Sequence, residues 1–155
     1  VIRVLNHGCI FSDPSPVIGN PVNCMGVMGK GLALQFKQRY PAYYDLYRMA
    51  CYRGELSTAG DVAVTTLGSA EKTILSIATK THWKSRSDPR DIKRALGTIR
   101  SLIIANEWKR VSLPALGCGL GGLSFVDTEY LYLDAFKNLP CVVSIYCLDN
   151  KGEVG

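Results

Sequence analysis

Gly26-Val-Met-Gly-Lys-Gly31 and Gly117-Cys-Gly-Leu-Gly-Gly122 are two segments dense in glycine, and the polar stretch Thr79-Lys-Thr-His-Trp83 lies between them. Glycine lets backbone N–H groups approach a ligand with no Cβ in the way. Anionic oxygens are the usual visitors to such loops, above all where a helix begins just beyond. Two such loops in one short chain imply a ligand with several phosphates, or a diphosphate gripped from both sides. The polar stretch directly follows an apolar run, which puts Thr79 and Lys80 just past a strand end.

Alternating elements would position these groups. Residues 2–5 and 17–19 read as strands, and a helix over 31–40 starts inside the first glycine loop. Tyr43, Leu46, Tyr47, Ala50 and Cys51 recur at amphipathic-helix spacing, and Gly54 closes that helix. Two more strands, 61–67 and 73–78, flank a turn at 68–72. The pattern predicts a helix over 88–107, with Asp88 as its cap, Pro89 in its first position and an apolar stripe from Ile92 to Ile103. A strand at 111–114, a helix over 124–137 and an apolar strand at 142–148 follow. The alternation implies a three-layer α/β/α fold around a mixed sheet of about six strands, with 1–155 as a single domain.

Composition is compatible with this. The chain has 155 residues, 47% hydrophobic and 20% charged, enough for a core that needs no staples. Six scattered cysteines without a CxxC pair suggest reduced, mostly buried thiols of a cytoplasmic protein; His7 and Cys9 alone make a weak zinc site. No segment has the length of a membrane span, and the N-terminus lacks the plan of a signal peptide. Val1 in place of an initiator methionine suggests a chain trimmed or excised from something longer. The net charge of +5 suits an anionic ligand and permits nucleic acid without demanding it.

Two familiar phosphate motifs fit poorly. Gly117, Gly119 and Gly122 match G-x-G-x-x-G, but the ribose-binding acid would have to be Asp149, and too little chain follows for a Rossmann domain. Gly29-Lys-Gly31 lacks the Ser or Thr that holds magnesium in a Walker A loop.

The combined pattern resembles another family. Asn20-Pro-Val-Asn-Cys-Met-Gly-Val-Met-Gly-Lys-Gly-Leu-Ala-Leu-Gln-Phe36, then Arg39-Tyr-Pro41, Thr79-Lys-Thr-His-Trp83 and Leu113-Pro-Ala-Leu-Gly-Cys-Gly-Leu-Gly-Gly-Leu123 are similar to a macrodomain. Within that family they resemble the branch of bacterial DNA ADP-ribosyl glycohydrolase antitoxins (DarG type), with terminal ADP-ribose protein glycohydrolases as near relatives. The likeness covers nearly the whole chain, in order.

The resemblance implies a place for each residue. Asn20 and Asn23 match the family's paired asparagines, the second on the distal ribose. Gly26, Val27, Met28, Gly29, Lys30 and Gly31 should lie against the pyrophosphate and distal ribose, with Thr79 beside them. Leu116, Gly117, Cys118 and Gly119 should close over the same phosphates, together with Leu120, Gly121, Gly122 and Leu123. Lys30 reads equally well as a solvated loop cation.

Lys80 matches the branch's catalytic lysine, acting at C1″ of the distal ribose. A neutral amine would attack an opened sugar, which requires its pKa to fall from about 10.4; a charged one would assist the leaving group electrostatically. His82 and Trp83 are possible substrate contacts, stacking on a base, with Lys84, Arg86 and Arg90 near phosphates. Trp83 reads equally well as packing over the sheet edge, and His82 as merely exposed. Backbone groups of Cys9 and Ile10 should meet adenine, although Cys9 stands where many macrodomains have an acid. Tyr146 and Leu148 are candidate walls for adenosine. Gly121 stands where protein-directed relatives have an aspartate.

The implied activity is removal of mono-ADP-ribose from thymidine in DNA. De-ADP-ribosylation of acidic protein side chains, processing of ADP-ribose 1″-phosphate and a non-catalytic ADP-ribose reader are the alternatives. Expected partners are ADP-ribose, ADP-ribosylated DNA or protein, and a cognate ADP-ribosyltransferase toxin. A monomer without metal, redox cofactor or membrane contact is expected.

Overall fold

The computed structural model describes residues 1–68 and 71–147. Its elements are β1 (Ile2–Leu5), β2 (Val17–Val22), α1 (Gly31–Arg39), α2 (Pro41–Tyr52), β3 (Val62–Leu67) and β4 (Lys72–Ala78). They continue as α3 (Pro89–Asn106), β5 (Arg110–Pro114), α4 (Phe125–Phe136) and β6 (Val142–Tyr146), with 3-10 turns at Ile10–Ser12 and Gly119–Gly121. The strands form one sheet in the order β1-β6-β5-β2-β4-β3. Only the β3–β4 pair is antiparallel among the described strands, so the sheet is mixed.

Alternation along the strands sends side chains to two separate cores. Ile18, Val22 and Ile74 meet Leu32 and Phe36 of α1 and Tyr43 and Tyr47 of α2. Val17, Leu75, Ile77, Val143 and Ile145 meet the α3 stripe and Tyr132 and Phe136 of α4. Those two helix layers on one sheet are the three-layer sandwich. Of the expected α3 stripe, Ile92, Ala95, Leu96, Ile99 and Ile103 are buried and Leu102 is half-buried, and the Asp88 carboxylate accepts from the Arg90 N–H at 2.8 Å.

β2 runs three residues farther than its sequence suggests. Asn20 and Pro21 interrupt the apolar pattern, yet both are buried inside the strand. The Asn20 Nδ2 donates to the Tyr43 hydroxyl at 2.9 Å, which also bonds Ser76 Oγ at 2.6 Å, so one polar group finds its partner in the core. Pro16 and Val22 carbonyls accept from Thr73 and Thr79 of the β4 side, so even-numbered residues face β4 and Pro21 faces β5. The β2–β5 ladder has ended by then, pairing only Val17 with Val111 and Ile18 with Ser112. A missing N–H costs nothing there.

That early ending opens the sheet where it matters. β2 leads toward β4 and β5 leads toward β6, so the chain winds away in opposite directions from the β2–β5 boundary. Ligands in open α/β sheets sit outside the carboxyl ends of strands at such a point. Both glycine loops and the stretch after β4 leave from those ends.

The crossover from β1 to β2 is pinned by Asp13, whose carboxylate accepts from the Tyr146 hydroxyl and the Ser15 N–H. Burial opposes its charge, but the hydrogen bonds from Ser15 and Tyr146 outweigh that and hold the carboxyl down at about 2. The folded value lies below the ordinary 3.8, so this stabilisation is present above about pH 4 and lost as pH falls toward 2. Tyr146→Phe is expected to raise the folded value and weaken the acid dependence. Urea midpoints at pH 5, 3 and 2 should therefore drop less steeply in the variant than in the wild type.

The cysteines are less buried than their apolar surroundings suggest. Cys141 is buried, Cys9 is exposed, and Cys24, Cys51, Cys118 and Cys147 are half-buried at element ends and loops; all six are free thiols. Part of the expected 68–72 turn, and the candidates Leu148 and Asp149, lie outside the described residues.

Candidate functional site

A cavity of about 250 Å³ opens beyond the carboxyl ends of β2 and β4, and the loop that follows β5 reaches it. Pro21, Val22 and Asn23 of β2 and its exit form one side, with Val27, Met28, Gly29, Lys30 and Ala33 of the first loop and α1 above them. Thr79, Lys80 and Trp83 come from the end of β4, and Leu120 comes from the second glycine loop.

The first loop is shaped by Asn23 and two tyrosines of α2. Asn23 Oδ1 accepts from the Met25 N–H at 2.9 Å and its Nδ2 donates to the Val27 carbonyl at 2.9 Å. The Tyr47 hydroxyl donates to the Asn23 carbonyl at 2.8 Å, and the Tyr44 hydroxyl to the Gly26 carbonyl at 3.0 Å. Gly26 needs its positive φ of 78° to make this turn. The side chains thus consume carbonyls and leave donors. The Gly26 N–H turns toward Tyr47 and Cys51, but among the described residues no backbone N–H from 27 to 33 has an acceptor in the protein. The last three belong to the first turn of α1, whose N-cap Lys30 supplies no side-chain acceptor and whose first turn holds no acid. Seven successive unpaired donors, the last three at a helix N-terminus, suit an anion.

The second loop faces it. Gly117 has φ 77°, and a Cβ there would lie 2.8 Å from Leu123 Cδ1 and 2.9 Å from Ser87 Cβ. Its folding commits the N–H groups of Cys118, Gly122 and Leu123 to internal carbonyls and leaves those of Gly119 and Leu120 without an acceptor among the described residues. A Cβ on Gly121 would collide with the Ser87 hydroxyl, which is buried without a partner.

The Lys80 loop is fastened on three sides. The Thr79 N–H donates to the Val22 carbonyl at 2.9 Å, and the Cys24 N–H to the Thr81 carbonyl at 2.9 Å. The Thr81 hydroxyl accepts from the Ala59 N–H at 3.0 Å, where Arg94 also reaches the Ala59 carbonyl and Asp61. Lys80 Nζ donates to the Trp83 carbonyl at 3.1 Å and pairs with no carboxylate among the described residues. Burial pushes its amine below the ordinary lysine value. One of its three N–H groups is thereby occupied, so two remain for a ligand in the cavity.

A macro domain family model matches residues 19–131, which include both loops and Lys80. The chain belongs to the macrodomain family. A Mycobacterium tuberculosis protein named DNA ADP-ribosyl glycohydrolase is 43% identical over 144 residues, covering 89% of this chain and 40% of that protein. The macrodomain of Thermus aquaticus DarG superposes with a TM-score of 0.88 at 31% identity, covering 95% of this chain and 98% of that one. Thermosipho africanus DarTG in complex with ADP-ribose superposes with a TM-score of 0.89 at 30% identity, covering 99% of this chain and 43% of that one. The chain spans about 40% of the length of the curated relatives it matches.

Within this macrodomain the expected site residues do not all share one wall. Asn23, Val27, Met28, Gly29, Lys30, Thr79, Lys80, Trp83 and Leu120 line the cavity. Asn20 is fully buried under its floor, within reach of Met28 Sδ at 4.0 Å and Tyr43, with Oδ1 unpaired. Gly26 borders a second groove against Arg48 and Met49 of α2. Cys9 and Ile10 lie at the exit of β1, Cys9 exposed and Ile10 buried. Leu116 is buried, and its N–H donates to the Tyr132 hydroxyl at 2.7 Å. His82 is half-buried beside the exposed Trp83.

Ala33, Thr81 and Ser87 were not expected. Ala33 had a signal, because a helix starting in the glycine loop must bring its first turn to the ligand. Ser87 had none; its contact with Gly121 joins segments 34 residues apart.

Proposed function

We propose that this macrodomain holds ADP-ribose in the cavity beyond β2 and β4 and releases it from a thymidine base of DNA. The diphosphate would rest on the N–H groups of residues 27–33, closed over by Gly119 and Leu120. The distal ribose would then extend past Asn23 toward Lys80. Water adds to C1″, the bond from C1″ to the base nitrogen breaks, and that nitrogen regains a proton. The products are free ADP-ribose and an unmodified base. A cognate ADP-ribosyltransferase is the partner this chemistry requires, since the modified base must first be made.

The observation that carries this reading is Lys80: an amine with no carboxylate partner among the described residues, its pKa lowered by burial, on the wall of the same cavity as the unpaired N–H groups. The named relatives support the glycohydrolase assignment and DNA as the substrate. Gly121 supports it too. A Cβ there would meet the Ser87 hydroxyl, so an aspartate at 121 would require the Ser87 side chain to turn away.

Two matched substrates test the reading, an ADP-ribosylated single-stranded oligonucleotide and a glutamate-modified protein. Release of ADP-ribose is expected at least tenfold faster from the oligonucleotide. Release from neither, with ADP-ribose still bound, would mark a reader module. Faster release from protein would overturn the DNA assignment.

A further inference from the structure

Trp83 lines the cavity mouth yet remains 48% exposed. Large aromatic rings are costly to leave half in water, and neighbours hold this one there. The His82 ring lies beside it, with centroids 5.3 Å apart and planes inclined by 30°. The Lys84 N–H donates to His82 Nδ1 at 3.1 Å, which fixes that imidazole. Lys84 Nζ stands 5.0 Å from the centroid of the indole. Because Lys80 Nζ bonds the Trp83 carbonyl, the same tight turn presents both the amine and the ring. Val27 and Leu120 face the cavity from the two glycine loops, exposed at 41% and 48%. The mouth is therefore apolar, while the interior offers N–H donors.

The charge around this mouth has one sign. Residues 80–90 contain four Lys or Arg and one acid, Asp88. Asp88 is committed to the Arg90 side chain and N–H, leaving Lys80, Lys84 and Arg86 uncompensated among the described residues. A nucleobase on its phosphodiester chain matches this arrangement, with a flat π-face for the ring and anions for the cations beside it.

We propose that Trp83, braced by His82, is the stacking platform for the nucleobase carrying ADP-ribose, and so selects nucleic-acid over protein substrates. This rests on the glycohydrolase reading above. The flexible Lys84 stem yields the ring face to the base and keeps its charge for the adjoining phosphate. A glutamate-linked substrate presents no π-face and gains nothing from the platform.

The test compares wild type, Trp83→Ala and Trp83→Phe on the ADP-ribosylated oligonucleotide, the glutamate-modified protein and free ADP-ribose. Truncating the ring keeps the carbonyl that Lys80 uses. Trp83→Ala should lower kcat/KM on the oligonucleotide by about 10- to 100-fold, the range for one lost base stack. That loss should exceed any fall in ADP-ribose affinity by at least tenfold, and Trp83→Phe should recover most of it. Lys84→Gln should make the salt dependence of oligonucleotide binding shallower by about 0.7 in log–log slope. Equal losses for oligonucleotide and free ADP-ribose would make the ring a nucleotide wall and overturn the platform, as would no loss at all. Wild-type inactivity on the oligonucleotide would overturn the glycohydrolase reading and the platform together; wild-type activity shared by Trp83→Ala would overturn the platform alone.

Discussion

Lys80→Ala is expected to reduce release of ADP-ribose from modified DNA by about 10²- to 10⁴-fold, the range for losing one group that acts on the reacting centre. Affinity for free ADP-ribose should stay within a few-fold, because the donors proposed for the diphosphate are the free N–H groups of residues 27–33 and of Gly119 and Leu120. Stability should hardly change, since Nζ makes a single bond at the cavity mouth. Single-turnover release and calorimetric titration, run on the same preparation, measure the two quantities. Lys80→Arg separates the chemical roles. An electrostatic role keeps part of the rate with a permanent cation, whereas an amine nucleophile loses all of it. Burial already lowers the amine's pKa, so a nucleophilic Lys80 gives a rate that rises with pH and levels off below the ordinary lysine value. Borohydride trapping of a protein–sugar adduct in wild type alone would identify the nucleophile. If Lys80→Ala turns over at the wild-type rate, Lys80 has no part in the reaction.

What the sequence revealed depended on how local its cause was. α3 was plain because cap, proline and stripe all lie within its own residues. The glycine loops and Lys80 were legible for the same reason, each being a short run beside a strand end. β2 was not, since Asn20 is tolerated only through Tyr43 on α2, and Pro21 only because β5 stops pairing. Neither fact is visible from residues 17–22. The two asparagines make the same point. Asn20 follows strand parity into the core, whereas Asn23 lies past the strand and shapes the loop. The cysteines misled because apolar neighbours in sequence do not bury a residue at an element end.

Ala33→Asp should push ligand affinity and stability in opposite directions, which few substitutions in a binding site do. Ala33 is the third residue of α1 and lines the cavity. A carboxylate in the first turn faces the positive end of the helix dipole and takes up N–H groups that now lack acceptors, a gain of about 0.3–1 kcal/mol. The same carboxylate would occupy the cradle that the diphosphate needs. At about 5 Å and an effective dielectric near 20, repulsion between two unit charges is about 3 kcal/mol, or roughly a 100-fold loss of affinity. The variant should therefore melt no lower than the wild type yet bind ADP-ribose about 100-fold more weakly. The deficit should shrink as salt rises, as charge repulsion does. Ala33→Asn supplies nearly the same volume without the charge, and it should retain most of the affinity. If Asn and Asp weaken binding equally, the first turn of α1 is a steric wall, and the diphosphate lies elsewhere in the crevice.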